Sequence, residues 1–223
     1  MHILINKINM QNNFKYIKQV PNNASKDSKV IIMLHWVRSN ADNMFALSEY
    51  FENDYVFSLN WLYELWANSY AWYNMSYINW RTPVYNWAEV EIWYQYIVDF
   101  IEYVKKQYNL WDREIYLLWF SQWSNMSYYL YGKSPELISW IIALSGRFLK
   151  ETAALNINNE LYNNKKVFIW HGTSDDVIPV SVVADLEVYI NKSWVNPVIK
   201  IYDNMPHTII PEEMMEVVKF LNK

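Results

Sequence analysis

Glycine is nearly absent from a chain that has to turn many times. The 223 residues include three glycines, against thirteen tryptophans. Ordinary usage puts glycine at ~7%, roughly 16 residues in a chain of this length. The two counts taken together reach that figure, and tryptophan is normally among the rarest residues, so surplus and deficit read as one event. The clearest instance is Trp119-Phe120-Ser121-Gln122-Trp123. It stands between an apolar strand and the start of a helix, where a tight bend leaves little room for an indole.

The bulk properties narrow the class. Apolar residues make up 52% and charged residues 19%, which is a globular balance rather than a disordered one. This length is enough for one sizeable core, so residues 1–223 are expected to form a single α/β domain. The net charge of −4, without a Lys/Arg cluster, gives no footprint for nucleic acid. The absence of Cys excludes disulfides, thiolate catalysis and cysteine metal sites together. Four His without an H-x-x-x-H spacing argue against a metal, and no cofactor is implied. The start, Met1-His2-Ile3-Leu4-Ile5-Asn6-Lys7, has neither a basic region nor a long apolar run. A secretory signal and stable membrane insertion are therefore not expected, and a cytoplasmic location is.

Hydrophobic patterning alternates strands with helices. Ile3-Leu4-Ile5 and Phe14 to Val20 alternate like a half-buried hairpin. Val30 to Leu34 is a continuous apolar run, the mark of a strand buried on both faces. A helix over Ala41–Phe51 and a strand over Tyr55–Leu59 follow. Residues 61–86 are aromatic, Asn-rich and aperiodic, which predicts a long loop of the kind that often carries function. Ala88 to Tyr108 has the spacing of an amphipathic helix. Strands are then expected at Ile115–Leu118, Ile138–Leu144, Val167–Ile169 and Val198–Tyr202, with helices at Ser121–Tyr131, Val180–Ile190 and Pro211–Leu221. Such alternation implies a mostly parallel sheet with helices on both faces. Reactive groups then belong at the carboxyl ends of the strands.

Three residues meet that condition: Ser121, Asp175 and His207. A serine hydroxyl is a weak nucleophile until a base takes its proton, and the base works best when a carboxylate orients it. With glycine at both ends, residues 119–123 would read G-F-S-Q-G, a strand-to-helix turn that exposes a nucleophilic serine. The order Ser, Asp, His is by itself worthless, and three strand-end contexts together are much stronger. Ser121 also fits a helix N-cap, and His207 an ordinary loop histidine. Asp175 competes with Asp176, and the spacing from His171-Gly172 favours Asp175. His35 and His171 read as loop-ordering residues.

From Lys29 to Leu221 the chain resembles the phospholipase/carboxylesterase family of α/β-hydrolases, which includes acyl-protein thioesterases. Leu34-His35-Trp36-Val37-Arg38-Ser39-Asn40 resembles the family's L-H-G-x-G-S-N loop, and Trp119 to Trp123 its G-F-S-Q-G. His171-Gly172-Thr173-Ser174-Asp175 with Val177-Ile178-Pro179 resembles H-G-T-x-D-x-x-V-P. Ser58 to Tyr73 resembles a Gly-rich loop ending in a Trp-aromatic pair, and Met205-Pro206-His207-Thr208-Ile209 the histidine loop. The resemblance implies an α/β-hydrolase fold, with Ser121 as nucleophile, His207 as general base then acid, and Asp175 as orienting carboxylate. It implies an oxyanion hole from the backbone N–H groups of Val37 and Gln122, each such donor typically contributing ~2.7–4 kcal/mol. Trp72 and Tyr73 would stand near a small-molecule acyl ester substrate, and no metal or cofactor would be needed.

The departures are systematic. Trp36, Trp61, Trp66, Trp119, Trp123, Trp140 and Trp194 fall where the family commonly has glycine. Trp194 stands where a helix C-cap glycine belongs. Trp80, Trp87, Trp111 and Trp170 sit at plausible turn positions, Trp72 matches a family tryptophan, and Trp93 has no reason visible in the sequence. Overpacking by a few methylenes costs ~1–3 kcal/mol, and an indole is far larger. One reading joins these facts. UGA is a glycine codon in the gene's own cell, and tryptophan stands where UGA is read as tryptophan. Two functions then remain open: a serine hydrolase that cleaves carboxylic esters through an acyl-enzyme, or a non-catalytic binding protein on the same fold whose bend is blocked by Trp119 and Trp123.

Overall fold

Runs of apolar residues in this chain become strands with nothing left to face water. All five residues of Val30–Leu34 and all six of Ile115–Phe120 are buried. That requires cover on both sides of a sheet, and the computed structural model supplies it. The structure describes residues 14–36, 39–61, 64–66, 69–70, 75–78, 82–121, 124–147, 152 and 159–222.

In chain order the elements begin with β1 (Tyr16–Gln19), β2 (Val30–Leu34) and α1 (Ala41–Phe45), which runs into a 3-10 helix (Ala46–Phe51). Next come β3 (Tyr55–Leu59) and four short strands, β4 (Glu64–Trp66), β5 (Ser69–Tyr70), β6 (Met75–Ile78) and β7 (Thr82–Tyr85). Then follow α2 (Trp87–Tyr108), β8 (Ile115–Phe120), α3 (Ser124–Lys133) and β9 (Trp140–Leu144). The chain closes with β10 (Lys166–Gly172), α4 (Val182–Asn191), β11 (Val198–Tyr202) and α5 (Pro211–Leu221). Seven strands form one sheet in the order β1-β3-β2-β8-β9-β10-β11. β1 runs antiparallel to β3, and every other pair is parallel.

Strand side chains alternate between faces, which divides the core in two. Ile32, Leu117, Trp119, Ile141 and Ile169 meet Trp93, Ile97, Phe100 and Ile101 of α2, and α3 and α4 add to this side. Ile31, Leu118, Phe120, Ile142 and Phe168 meet Met214, Val217 and Phe220 of α5. The helix ends are set locally. The Asn86 side chain accepts the Ala88 N–H at the start of α2, and Asn109 closes it in the left-handed region, with φ 54°. Among the described residues, no helix is long and apolar enough to cross a membrane.

Several expectations are revised. The segment 61–86, read as a long loop, carries two antiparallel ladders, β4 with β5 and β6 with β7. Strands of two to four residues are too short to print a period of two. The helix expected over Ala41–Phe51 changes to 3-10 geometry at Ala46, and α3 begins at Ser124 rather than Ser121. The strand expected at Ile3-Leu4-Ile5 lies outside the described residues.

Two tryptophans bear directly on the glycine reading. Trp194 follows α4 with φ 61° and is 80% exposed. It holds a left-handed conformation that costs an L-residue with a Cβ about 1–2 kcal/mol, and it recovers little of this by burial. W194G is expected to raise the melting temperature by about 2–4 °C, from roughly 1 kcal/mol. A thermal melt that falls instead would mean the exposed indole holds something in place. Trp93, unexplained by sequence, meets Trp119 across the α2–β8 contact, ring centroids 5.6 Å apart. Both side chains are fully buried, and the Trp119 indole N–H has no hydrogen-bond partner among the described residues. A pair of glycines at this crossing would let helix and strand approach directly.

Candidate active site

The carboxyl ends of β8, β10 and β11 meet at one place, and each presents one polar side chain there. Ser121 follows β8 with φ 69°. This is a strained conformation for serine, of the kind a nucleophile-bearing elbow imposes. Its Oγ lies 2.7 Å from His207 Nε2, and His207 Nδ1 lies 2.7 Å from Asp175 Oδ2. A carboxylate can only accept, so Nδ1 carries the ring proton and donates to Asp175. Nε2 is then left to accept the hydroxyl proton of Ser121.

Asp175 is held from every side. Its Oδ1 accepts the backbone N–H groups of Val177 at 3.0 Å and Ile178 at 2.7 Å. Its Oδ2 also lies 3.3 Å from Nε2 of His171. That nitrogen donates to the Ile178 carbonyl at 2.7 Å. Burial lowers the pKa of His171, which keeps this second imidazole neutral. Asp176, the competing carboxylate, is exposed and outside this chain of bonds. His35 is buried too, and its Nδ1 is 2.9 Å from the Trp36 carbonyl. Desolvation lowers its pKa to about 4.

Two of the three glycines let these loops close. A Cβ on Gly172 would lie 2.0 Å from the Met205 carbonyl oxygen. Without one, the Asp175 loop and the His207 loop join through Ser174 N–H to Met205 O at 3.1 Å and Thr173 N–H to Tyr202 O at 2.9 Å. A Cβ on Gly146 would lie 1.8 Å from Ser124 Oγ, which instead donates to the Ser121 carbonyl at 2.9 Å. Each glycine thus sits where backbone must approach closely.

The expectation that an indole at 119 obstructs the bend is corrected in one respect. Its side chain leaves on the face opposite Phe120 and packs among the α2 residues, so Ser121 still reaches His207. Trp123, Val37, Gln122, Trp72 and Tyr73 lie outside the described residues. Phe120 was missed as a site residue. Its ring lies 4.8 Å from the His207 imidazole and 5.5 Å from the Trp36 ring. The strand period could have found it, because Phe120 shares the α5 face with Leu118. A cleft of about 350 Å³ opens beside His207, lined by Trp36, Asn43, Leu47, Phe120, Thr208 and Ile209. Among the described residues its walls are mainly apolar and hold no Lys or Arg. Among the described residues, no group of three or more His, Cys, Asp or Glu is placed to hold a metal.

A mostly parallel sheet with a strained serine turn and strand-end Asp and His loops defines an α/β-hydrolase fold, and known structures agree. A carboxylesterase from Bacillus cereus superposes with a TM-score of 0.81 at 14% identity, covering 95% of each chain. Esterase PE8 gives 0.77 at 20% identity, covering 94% of this chain and 98% of its own. The acyl-protein thioesterase 2 of Zea mays gives 0.69 at 16% identity, covering 93% and 97%. The sequence model of the phospholipase/carboxylesterase family matches residues 15–223, and the chain belongs to that family. Family and fold are those of hydrolases acting on small-molecule esters.

Proposed function

We propose that this protein is a serine hydrolase that cleaves carboxylic esters through an acyl-enzyme, with Ser121 as nucleophile, His207 as general base and then acid, and Asp175 as the orienting carboxylate. The observation that carries the reading is the unbroken Ser121–His207–Asp175 chain of hydrogen bonds at three strand ends. His207 Nε2 takes the hydroxyl proton as Ser121 Oγ attacks the ester carbonyl carbon. Asp175 stabilises the imidazolium and fixes its tautomer. The proton on Nε2 then passes to the leaving oxygen as the C–O bond breaks, which leaves the acyl group on Ser121. Water repeats the sequence on the acyl-enzyme and returns the acid and the free serine. The backbone N–H groups of Val37 and Gln122 are the proposed oxyanion donors.

The mainly apolar walls of the cleft beside His207 support a short to medium acyl or alcohol portion, and thioesters and lysophospholipids fall within the same chemistry. Trp72 and Tyr73 are proposed to contact that substrate. One domain spanning the chain fits the reading, because the sheet and all three loops are needed to assemble the site. A fluorophosphonate probe tests the proposal directly. Stoichiometric labelling is expected, with the adduct on the peptide containing Ser121. An adduct on another serine would remove the assignment, and no adduct on folded protein would favour a binding protein whose elbow does not react.

A further inference from the structure

The histidine loop ends on a buried acid. Glu213 lies at the third position of α5, just past the Pro211 that starts the helix, and its side chain is fully buried. Oε2 accepts the Ile210 backbone N–H at 3.3 Å, the residue that joins the His207 loop to α5. Oε1 has no hydrogen-bond partner among the described residues. The rest of the buried face of α5 is Met214, Val217, Phe220 and Leu221. An ionised carboxylate in such a layer needs a cation or several donors, and loses heavily without them.

Among the described residues the surroundings supply one donor, the Ile210 N–H, and no paired cation. The 3-10 helix packed on α5 brings Glu49 and Tyr50, and β10 brings Lys166 and His171. On β11, Tyr202 lies within electrostatic reach of Glu212, Glu213, Glu216 and Lys219 of α5. None of these makes a hydrogen bond or ion pair with Glu213, and the N-terminal turn of α5 offers only the partial positive charge of the helix end. Burial is the larger influence and the Ile210 N–H the smaller, and the carboxyl is pushed up to about 8.

We propose that Glu213 is a positioning residue that works as a neutral acid: uncharged, it ties the end of the His207 loop to α5, and charged, it leaves the apolar layer and loosens that loop. The proposal rests on the reading of His207 as the general base. It adds a second control on hydrolysis, since the base must be unprotonated while its anchor stays protonated.

The test compares E213Q and E213A with the wild-type chain, in pH profiles of kcat/KM for a p-nitrophenyl ester and in melting temperature across the same range. Gln keeps an oxygen for the Ile210 N–H and cannot ionise. Wild-type activity is expected to fall above about pH 8, approaching tenfold per pH unit as for a single ionising group. E213Q should hold its plateau through that range, and E213A should lose activity at every pH without the alkaline limb. The melting curves read the same event without catalysis. The folded carboxyl has its pKa raised from 4.5 to about 8, so its contribution to stability is full below about 4.5 and is lost progressively as pH rises from there to about 8. The melting temperature of E213Q relative to wild type should therefore climb between about pH 4.5 and 8 and level off above that. An alkaline limb unchanged in E213Q, or a melting difference that does not vary with pH, overturns the proposal. Protein inactive at all pH values even with glycine at 36, 93, 119 and 123 would count against the proposed hydrolase, and the melting difference would still decide the state of Glu213.

Discussion

Glycine placed together at positions 36, 93, 119 and 123 is expected to turn a poorly active chain into an efficient ester hydrolase. The gain should be at least ~100-fold in kcat/KM, the scale set by about 1 Å of misplacement at a reacting centre. The four positions belong together for a structural reason. Trp93 and Trp119 touch across the α2–β8 crossing, so replacing either alone leaves a void, which costs about 3–5 kcal/mol. Replacing both lets helix and strand close up, and a double-mutant cycle should show strong coupling between them. Trp36 stands against Phe120, beneath the imidazole. The gene offers an independent check. UGA at codons 36, 93, 119 and 123 is expected, as is an intact mass lighter than the tryptophan chain in protein made by the source cell. UGG at those codons, together with no gain in activity, would end the glycine reading.

In that glycine background, S121A is expected to lower kcat by about 10⁶-fold, the size of loss found when a triad serine is removed. The hydroxyl is the atom that becomes bonded to the acyl group, and no neighbour can replace it. Ser124 Oγ is committed to the Ser121 carbonyl, and Ser145 is fully buried. Hydrolysis of p-nitrophenyl butyrate is the measurement. Circular dichroism should be unchanged, because Ser121 is exchanged for a residue of nearly the same size. Turnover that survives in S121A would remove the acyl-enzyme mechanism and leave the fold untouched.

Most of the sheet was legible from the sequence because its central strands are continuous apolar runs; Val30–Leu34 was read to the residue, as was the edge strand Val198–Tyr202, although Lys200 interrupts it. Ser121, Asp175 and His207 were legible because each follows a strand, and a parallel sheet brings those ends together. The strands of segment 61–86 were not, since pieces this short carry no period. The face of Phe120 was legible from the strand period, but its contact with His207 joins residues remote in sequence. The contact between Trp93 and Trp119 joins residues remote in sequence, so no local pattern could report it. Glu213 was visible only as part of a helix start. It is buried where α5 packs on β10 and the 3-10 helix, a contact between elements remote in sequence.

His207 lies against Phe120, and Phe120 immediately precedes Ser121. The proton donor and the surface under its acceptor therefore ride on the same strand. A tilt of β8 would move the oxygen and the aromatic surface under the imidazole in the same direction. Alignment would be lost mainly by sideways slip of the ring across its aromatic seat, which makes that seat the place to look for substitutions that slow turnover without unfolding the protein.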